Sequence, residues 1–282
     1  MTTPASPRAW FITGVSSGLG RALAQAALAA GDVVAGSVRR EADRYAFETL
    51  HPDRAVGLIM DVTDEAAVLA AVKAAEARMG RIDILVNNAG YGLVGAIEEA
   101  SLAEIRAQFE VNVFGALAVI QAVLPGMRVR RSGRILNVTS VSGLAAWGGT
   151  GVYCASKYAL EGATQALAQE VAELGIKVTN IAPGGLRTDY AGRSLVLSEQ
   201  TIVDYDGAAR YARNVLRQGS GHEAGDPDKA AAAILQVAAA ENPPMHLLLG
   251  ADALHYATRA MGQFQTDLSE WLDLTLSTAT RD

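Results

Sequence analysis

The sequence predicts a single α/β domain in which a parallel β-sheet is covered by helices on both faces. Short apolar runs alternate with helical segments along most of the chain, an order that makes the strands parallel and the helices their connections. The 282 residues are 50% hydrophobic and 19% charged, which suits one compact core and excludes a disordered chain. No repeat or low-complexity linker marks a second domain.

A strand–helix unit repeats along the first two thirds of the chain. The predicted strands are 10–12, 33–38, 55–60, 83–86, 133–138 and 176–181. The predicted helices are 21–30, 64–79, 101–123 and 151–174. Gly31, Gly80 and Gly175 follow three of these helices, because glycine adopts the left-handed backbone that ends a helix. Residues 9–183 therefore form the predicted core of the domain.

The alternation weakens after Pro183. Residues 184–227 are polar and rich in Tyr and Arg with weak helical periodicity, and we expect a lid that binds substrate. A helix at 228–240, a last strand at 245–249 and one or two helices at 251–276 follow. The single domain thus divides into a core, a lid at 184–227 and a C-terminal part at 228–282.

Charge and composition exclude several classes of partner. The formal net charge of −6 disfavours nucleic acid and anionic membrane surfaces, since both attract basic patches. No window approaches the roughly 18 consecutive apolar residues of a membrane span, so none is expected. The single cysteine, Cys154, allows no intramolecular disulfide and is assigned no role, and residues 1–10 lack a signal-peptide pattern; we expect a cytoplasmic protein.

The histidines are far apart and lack metal-binding spacing, so we expect no metal and assign them to the surface or to packing. They are His51, His222, His246 and His255.

A glycine-rich turn joins the first predicted strand to the first helix. Its glycines let the backbone approach a pyrophosphate, and the N–H groups at the start of the helix favour negative charge. This placement predicts a dinucleotide site, with a merely tight structural turn as the alternative. The turn residues expected at the cofactor are Gly14, Ser16, Ser17, Gly18, Leu19 and Gly20.

The end of the second strand favours NADP(H) over NAD(H). An acidic residue there would bind the ribose 2′-OH of NAD, whereas arginine pairs with the 2′-phosphate of NADP. The strand ends in Arg39 and Arg40, with Glu41 beyond both, and Ser17 and Arg21 lie at the glycine turn. The alternative is that Arg39 and Arg40 only face solvent.

Tyr153 and Lys157 are four residues apart on a predicted helix and therefore share one face. The ammonium would stabilise the phenolate. About 4 kcal/mol is needed to bring the pKa of a phenol from 10 toward 7. Ser140 ends the fifth strand, at the sheet edge where ligands bind, and Ser142 is an alternative to it. These groups suit proton transfer to a carbonyl oxygen.

Three motifs occur in order: TGxxxGxG at 13–20, Asn-Asn-Ala-Gly at 87–90 and Tyr-Cys-Ala-Ser-Lys at 153–157. Over residues 10–188 the chain resembles the short-chain dehydrogenase/reductase family, in pattern closest to its retinol and hydroxysteroid dehydrogenase branch. The resemblance implies a Rossmann-type, doubly wound domain of about seven parallel strands, and hydride transfer between nicotinamide and a carbonyl or alcohol. It implies the catalytic set Asn112, Ser140, Tyr153 and Lys157, with Asn112 holding a water that relays protons through Lys157.

The resemblance also implies further contacts to the cofactor. Asp61 would lie against the adenine, residues 88–90 beside the adenosine ribose and Thr188 on the nicotinamide amide. The complete implied set beyond the glycine turn is Arg39, Asp61, Val62, Asn88, Ala89, Gly90, Tyr153, Lys157, Pro183, Gly184 and Thr188.

Apolar residues after two of the motifs suggest a hydrophobic ketone, aldehyde or alcohol as substrate. They are Tyr91 and, after Ser140, Leu144, Ala145, Ala146 and Trp147. We expect reduction to dominate with NADPH. The alternatives are a 3-ketoacyl carrier-protein reductase, whose relatives usually end near the last strand, and a non-catalytic NADP(H) sensor, against which Tyr153 and Lys157 count. The resemblance further implies a homodimer or homotetramer formed through helices 101–123 and 151–174.

Overall fold

A computed structural model describes residues 6–188 and 194–280 and contains the predicted parallel sheet. Seven strands lie in the order β3-β2-β1-β4-β6-β7-β9, and every neighbouring pair is parallel. These strands are β1 (Ala9–Thr13), β2 (Val33–Val38), β3 (Ala55–Ile59), β4 (Ile84–Asn87), β6 (Gly133–Val138), β7 (Ile176–Pro183) and β9 (His246–Leu249). A separate parallel pair joins β5 (Gly92–Val94) to β8 (Leu195–Leu197).

Helices connect the strands and cover both faces of the sheet. They are α1 (Gly18–Ala29), α2 (Glu41–Glu48), α3 (Glu65–Met79), α4 (Leu102–Phe109), α5 (Ala116–Arg130), α6 (Gly151–Glu170), α7 (Tyr211–Gln218), α8 (Pro227–Ala239), α9 (Ala251–Glu270) and α10 (Leu272–Leu276). A π-helical segment, Glu110–Gly115, joins α4 to α5 into one continuous helix. The α/β fold class is therefore confirmed.

Alternating side chains of β1 build the two halves of the core. Trp10 and Ile12 pack on one face with residues of α1 and α8. Phe11 packs on the other face with residues of α3 and α5. Because successive strand residues point to opposite faces, one apolar strand supports both helical layers.

The strand order reverses between β1 and β4. The chain runs outward from β1 through β2 to β3, then returns to place β4, β6, β7 and β9 on the other side of β1. The carboxyl ends of β1 and β4 therefore diverge and leave a crevice, which is where ligands bind in open α/β sheets.

Several predicted elements differ in their bounds. The third predicted helix starts as expected after Ser101, whose side chain accepts from the Glu104 N–H in a capping box, but it runs past residue 123 to Arg130 with Pro125 inside. The first helix begins at Gly18 instead of residue 21. The predicted lid contains β8 and α7, and residues 189–193 of it lie outside the described part.

One described helical stretch, Leu102–Arg130, is long and apolar enough to cross a membrane by length and composition alone. Its apolar window has a mean hydropathy of 1.5 and is 44% buried. Val119, Ile120, Val123 and Met127 from this stretch belong to the core under the sheet. Core helices have the same composition, so the stretch does not establish a membrane span.

The Asp32 carboxylate ties the start of β1 to the start of β2. It is almost fully buried and accepts hydrogen bonds from the Trp10 Nε1 at 2.8 Å and from the Arg8 backbone N–H at 2.9 Å. The Arg8 guanidinium forms a further ion pair with it at 2.8 Å. Removal of the carboxylate would leave the buried indole N–H without a partner.

We predict that Asp32→Ala lowers the free energy of unfolding by about 2–4 kcal/mol, because the Trp10 indole, the Arg8 backbone N–H and the Arg8 guanidinium all lose a buried acceptor. Urea denaturation followed by circular dichroism measures this change. Asp53→Ala, at an exposed aspartate, is the control and should stay within about 0.5 kcal/mol of the wild type. Equal losses in the two variants would contradict the prediction.

Candidate active site

The glycine turn lies at the carboxyl end of β1, beside the crevice. Gly14 and Gly18 have positive φ angles of 75° and 59°, which side chains other than glycine rarely adopt. The N–H groups of Gly14 and Val15 both donate to the Ser37 carbonyl at 3.1 Å, which ties the turn to β2. Because α1 begins at Gly18, the N–H groups of its first turn point into the predicted phosphate site.

The Asn88 side chain braces this turn from the end of β4. Its Nδ2 donates to the carbonyl oxygens of Thr13 at 2.9 Å and Gly14 at 3.0 Å. The Thr13 hydroxyl oxygen accepts from the backbone N–H groups of Asn88 and Ala89, each at 2.9 Å. A Cβ at Gly20 would lie 2.4 Å from Asn88 Nδ2, so only glycine allows this approach.

The serines of the turn keep their hydroxyl groups near its surface. Ser16 and Ser17 are half-buried, and Ser17 stands at the N-cap of α1 without a capping hydrogen bond from its side chain. Leu19 is buried and belongs to the core between α1 and α8. The two serines therefore lie where an anion can reach them. Leu19 instead packs in the core and holds the start of α1 in place.

Arg39 and Arg40 differ in their surroundings at the end of β2. The Arg40 guanidinium forms a two-pronged ion pair with Asp43, at 2.7 and 2.9 Å. Arg39 is exposed and makes no hydrogen bond or ion pair with any described residue. Of the two arginines, Arg39 is therefore the one that remains available to a ligand.

Asp61 and Val62 follow β3 on the same side of the sheet. Asp61 Oδ1 accepts from the Thr63 N–H at 3.0 Å and from the Thr63 hydroxyl at 2.8 Å. Val62 is buried, and a Cβ at Gly115 would lie 2.7 Å from its Cγ2. Val62 therefore packs directly against the π-helical segment that carries Asn112.

Tyr153 and Lys157 lie one turn apart on α6, as the spacing predicts. Lys157 is 5% exposed, and its Nζ donates to the Val138 carbonyl at 2.9 Å, at the end of β6. The same Nζ lies 5.8 Å from the centre of the half-buried Tyr153 ring. The structure therefore brings an ammonium next to the phenol at the carboxyl end of the sheet.

Burial lowers the pKa of Lys157 from its ordinary value to about 8, because desolvation penalises the charged ammonium. The negative charge of Glu161, one turn further along α6, acts in the opposite direction and raises this pKa. The charge of Lys157 near neutral pH therefore depends on a balance between burial and one carboxylate.

Glu161 lies deep between α6 and the sheet, and the sequence patterns did not identify it. It is 2% exposed, accepts from the Thr139 hydroxyl at 2.7 Å and from Asn180 Nδ2, and pairs with His246 Nε2 at 3.1 Å. His246, which the spacing assigned to surface or packing, is therefore a partner of a buried carboxylate. The available signal was the position of Glu161, four residues after Lys157.

Ser140 stands at the sharp turn after β6. Its Oγ accepts from the Ser142 N–H at 3.1 Å, which leaves its own O–H to donate elsewhere. Both serines are buried, but the hydrogen bond orients Ser140 and not the Ser142 side chain. This hydrogen bond fixes the Ser140 hydroxyl at the carboxyl end of β6.

Asn112 is fully engaged within the π-helical segment. Its Oδ1 accepts from the Tyr91 N–H at 3.1 Å, and its Nδ2 donates to the Tyr91 carbonyl at 2.9 Å and to Ser156 Oγ at 3.0 Å. A Cβ at Gly90 would lie 3.0 Å from Asn112 Oδ1 and 3.6 Å from Lys157 Nζ. Gly90, Asn112 and Lys157 are therefore neighbours.

The end of β7 closes the site near the glycine turn. The Gly184 N–H donates to the Leu249 carbonyl at 2.9 Å, and the Gly185 N–H donates to Asp252 Oδ2 at 2.7 Å. A Cβ at Gly18 would meet the Thr188 Cβ at 3.7 Å, so Thr188 lies directly over the turn. Asp252, at the start of α9, was not identified from the sequence.

The apolar residues after Ser140 pack against the C-terminal helix. Val141 clusters with Ala253 and Ala257 of α9, with Leu144 and Trp147 alongside. The rings of Trp147 and Tyr256 meet edge to face, with centroids 5.2 Å apart. The first turns of α9 therefore pack against the apolar segment that follows Ser140, a contact that the sequence patterns did not predict.

The residues present fit a dinucleotide. The glycine turn has backbone donors at a helix N-terminus, and the left-handed backbone at Gly14 and Gly18 keeps side chains away from the surface of the turn. Tyr153 and Lys157 lie at the other end of the same crevice, with Gly90 between the two regions.

Known proteins are similar to this chain in sequence. The short chain dehydrogenase family matches residues 8–195. Oxidoreductase BOA17 of Botryotinia fuckeliana is 39% identical over 96% of this chain and 98% of its own length. The 3-ketodihydrosphingosine reductase of Bacteroides thetaiotaomicron is 35% identical over 86% of this chain and 88% of its own length. Human retinol dehydrogenase 8 is 41% identical over 45% of this chain and 40% of its own.

Solved structures show the same fold. A short-chain dehydrogenase from Streptomyces avermitilis has a TM-score of 0.92 and 40% identity, covering 98% of this chain and 99% of that one. A Burkholderia phymatum enzyme in complex with NAD has a TM-score of 0.80, and ElxO with NADP bound has 0.73; both are 24% identical and show the fold alone. They cover 100% and 88% of this chain and 99% of each structure.

The family match covers well over half of the chain, and the full-length relatives exceed a third identity. This chain belongs to the short-chain dehydrogenase family of oxidoreductases that bind a nicotinamide cofactor, and its relatives include retinol dehydrogenases.

Proposed function

We propose that this protein is an NADP(H)-dependent oxidoreductase that interconverts a hydrophobic ketone or aldehyde and its alcohol, with Tyr153 as general acid and base. The observation that carries the proposal is the buried Lys157 ammonium beside the Tyr153 ring at the carboxyl end of the sheet. A charge is buried at that place at a cost in free energy, which a purely structural helix would avoid.

The cofactor would lie across the crevice, from the glycine turn to Tyr153. When bound, its nicotinamide accepts or supplies the hydride. The backbone of the turn and the hydroxyls of Ser16 and Ser17 would hold the phosphates. Asp61, Val62 and residues 88–90 would hold the adenosine end, while Pro183, Gly184 and Thr188 would hold the nicotinamide end.

The chain's own groups supply the proton. In reduction, the Tyr153 hydroxyl donates its proton to the carbonyl oxygen, while Ser140 O–H holds that oxygen by a hydrogen bond. The positive charge of Lys157 stabilises the phenolate that remains. Asn112 holds the Tyr91 turn and, through Ser156, the adjacent face of α6, so its role in a proton relay would involve its backbone.

An apolar substrate is supported by the surroundings of Ser140. Leu144 and Trp147, which follow Ser140 in the chain and are backed by α9, would form the apolar side of the crevice. Two relatives are named for 3-ketodihydrosphingosine and for retinol, in keeping with a hydrophobic substrate. A 3-ketoacyl carrier-protein reductase and a non-catalytic NADP(H) sensor are the alternatives that kinetics must distinguish.

We further propose a cytoplasmic homodimer or homotetramer in which residues 184–227 form the substrate lid. Exposed apolar residues on the two long helices support association through them; they are Leu102, Phe114 and Tyr158. The lid contacts the body through the β5–β8 pair and through the Ile202 N–H, which donates to the buried Glu99 at 2.7 Å.

We predict that Tyr153→Phe lowers kcat for an apolar ketone by roughly 10²- to 10⁴-fold, because the proton donor is lost while the ring remains. The NADPH dissociation constant, measured by tryptophan quenching, should change little. Tyr158→Phe, at an exposed tyrosine on the same helix, should keep wild-type turnover.

Two results would contradict this assignment. Wild-type turnover by Tyr153→Phe would remove Tyr153 as proton donor. NADPH binding without turnover of any ketone by the wild type would favour the sensor, and strong preference for a carrier-protein thioester over free ketones would favour the 3-ketoacyl reductase.

We predict that reduction weakens as pH rises through about 8, because Lys157 is charged below its pKa and neutral above it. Glu161→Gln removes the carboxylate that raises this pKa, so the alkaline limb of kcat/KM should move down by about one pH unit. The control is Glu170→Gln, an exposed residue at the end of α6. An unmoved limb, or one moved to higher pH, would refute the role of Glu161.

We predict that Arg39→Ala weakens NADPH binding by roughly 10- to 100-fold, since charge-assisted hydrogen bonds to a phosphate are lost. NADH binding should change little because NADH lacks the 2′-phosphate. Arg40→Ala is the matched control, as Asp43 already engages its guanidinium. Equal weakening of both cofactors by Arg39→Ala would contradict the NADP(H) preference.

A further inference from the structure

The C-terminal helix α9 leaves the body of the protein after its second turn. Ala253 and Ala257 are buried against Val141, but every described residue from 261 to 280 is exposed. Large apolar side chains lie in this protruding part: Met261 is 71% exposed, Phe264 65%, Leu268 48% and Trp271 62%. Water around so many adjacent apolar groups is unfavourable, so this segment needs a partner.

The spacing of these residues specifies the kind of partner. From Leu254 the apolar positions advance by three and four residues in turn; they are Leu254, Ala257, Met261, Phe264, Leu268 and Trp271. This repeat of 3.5 residues produces one narrow stripe that follows a second helix, whereas a helix packed on a globular core has a broader apolar face. We name Met261, Phe264, Leu268 and Trp271 the α9 seam.

The charges beside the seam favour another copy of the same helix. The flanking positions within α9 are Thr258, Ala260, Gln265 and Asp267, of which one is charged. Two such helices therefore meet with little repulsion. Residues 260–280 contain no lysine or arginine and three acidic residues, the opposite of helices that bind anionic membranes.

The apolar area available approaches that of a stable pair of chains. Aromatic side chains bury roughly 150–250 Å² each, so the four seam residues at their exposures offer on the order of 400 Å². Leu272, Leu274 and Leu276, each at least half exposed, bring the total to about 700 Å². A standard stable interface buries about 800 Å² per partner.

We propose that the α9 seam pairs with the α9 seam of a second copy of this chain across a two-fold axis. The contact is self-complementary, since the same stripe is contributed by both chains. It lies beyond Ala257, away from the crevice, and is separate from an interface through α4, α5 and α6. The proposal does not depend on the reaction that the protein catalyses.

Sedimentation velocity of the full chain tests the proposal. Phe264→Glu/Leu268→Glu places charges in the seam and should halve the mass of the main species. Gln263→Glu/Thr266→Glu adds the same charge on other faces of α9 and should keep the wild-type mass. An unchanged mass in the seam variant would overturn the proposal.

A cysteine test leaves the seam intact. Cys154, the only native cysteine, is buried, so an added thiol reports alone. Gln265 flanks the middle of the seam, where a two-fold axis perpendicular to α9 would bring the two copies of this residue together. Gln265→Cys should therefore form an interchain disulfide on mild oxidation, because Cα atoms within about 7 Å can be bridged. Thr266→Cys faces away and should not. Absence of a disulfide at residue 265 would refute pairing. Pairing would also be refuted if the wild type bound phosphatidylcholine vesicles and Phe264→Glu/Leu268→Glu lost this binding without a change in mass.

Discussion

The hydrogen bonds between Asn88 and the glycine turn hold the whole site together. They join the carboxyl end of β4 to that of β1, where the strand order reverses and the crevice opens. Gly20 must be glycine for this contact, and the turn is tied in addition to Ser37 of β2. Three strands thus meet around one amide side chain. Lys157 lies on α6 and is tied to the end of β6, which is the next strand after β4 in the sheet. Its position relative to the glycine turn therefore depends on these contacts between β1 and β4.

A second constraint comes from the polar inner face of α6. Buried helix faces are usually apolar, yet this helix places Lys157, Glu161 and Thr164 against the sheet, where each one finds a partner. Thr164 accepts from Asn137, which in turn accepts from Asn87, so the network reaches the central strands. In such surroundings a carboxylate acts strongly on a nearby ammonium. The charge of Lys157 is consequently a property of the packing of α6.

Periodicity and glycine geometry are local signals, and they were enough to predict the six early strands and the glycine turn from the sequence. Contacts between distant segments leave no such signal and were missed. Helix α2 has a weak pattern, since Phe47 is its one buried residue and Arg44 pairs with Glu41 and Glu48 on its surface. The β5–β8 pair consists of three residues on each side, about one hundred positions apart. Glu161 and His246 meet only because β7 and β9 are neighbours.

Helix α9 shows how one segment serves two surroundings. Its first turns pack against the segment that follows Ser140: Ala253 and Ala257 are small enough to lie against Val141, and Tyr256 contacts Trp147. Beyond Ala260 no described residue of the body contacts the helix closely enough to bury a side chain, yet its apolar stripe continues in the same repeat. A helix that only closed the crevice would end near Ala260 or become polar there. The persistence of large apolar residues for three more turns is therefore explained by a contact outside the chain, and not by the site.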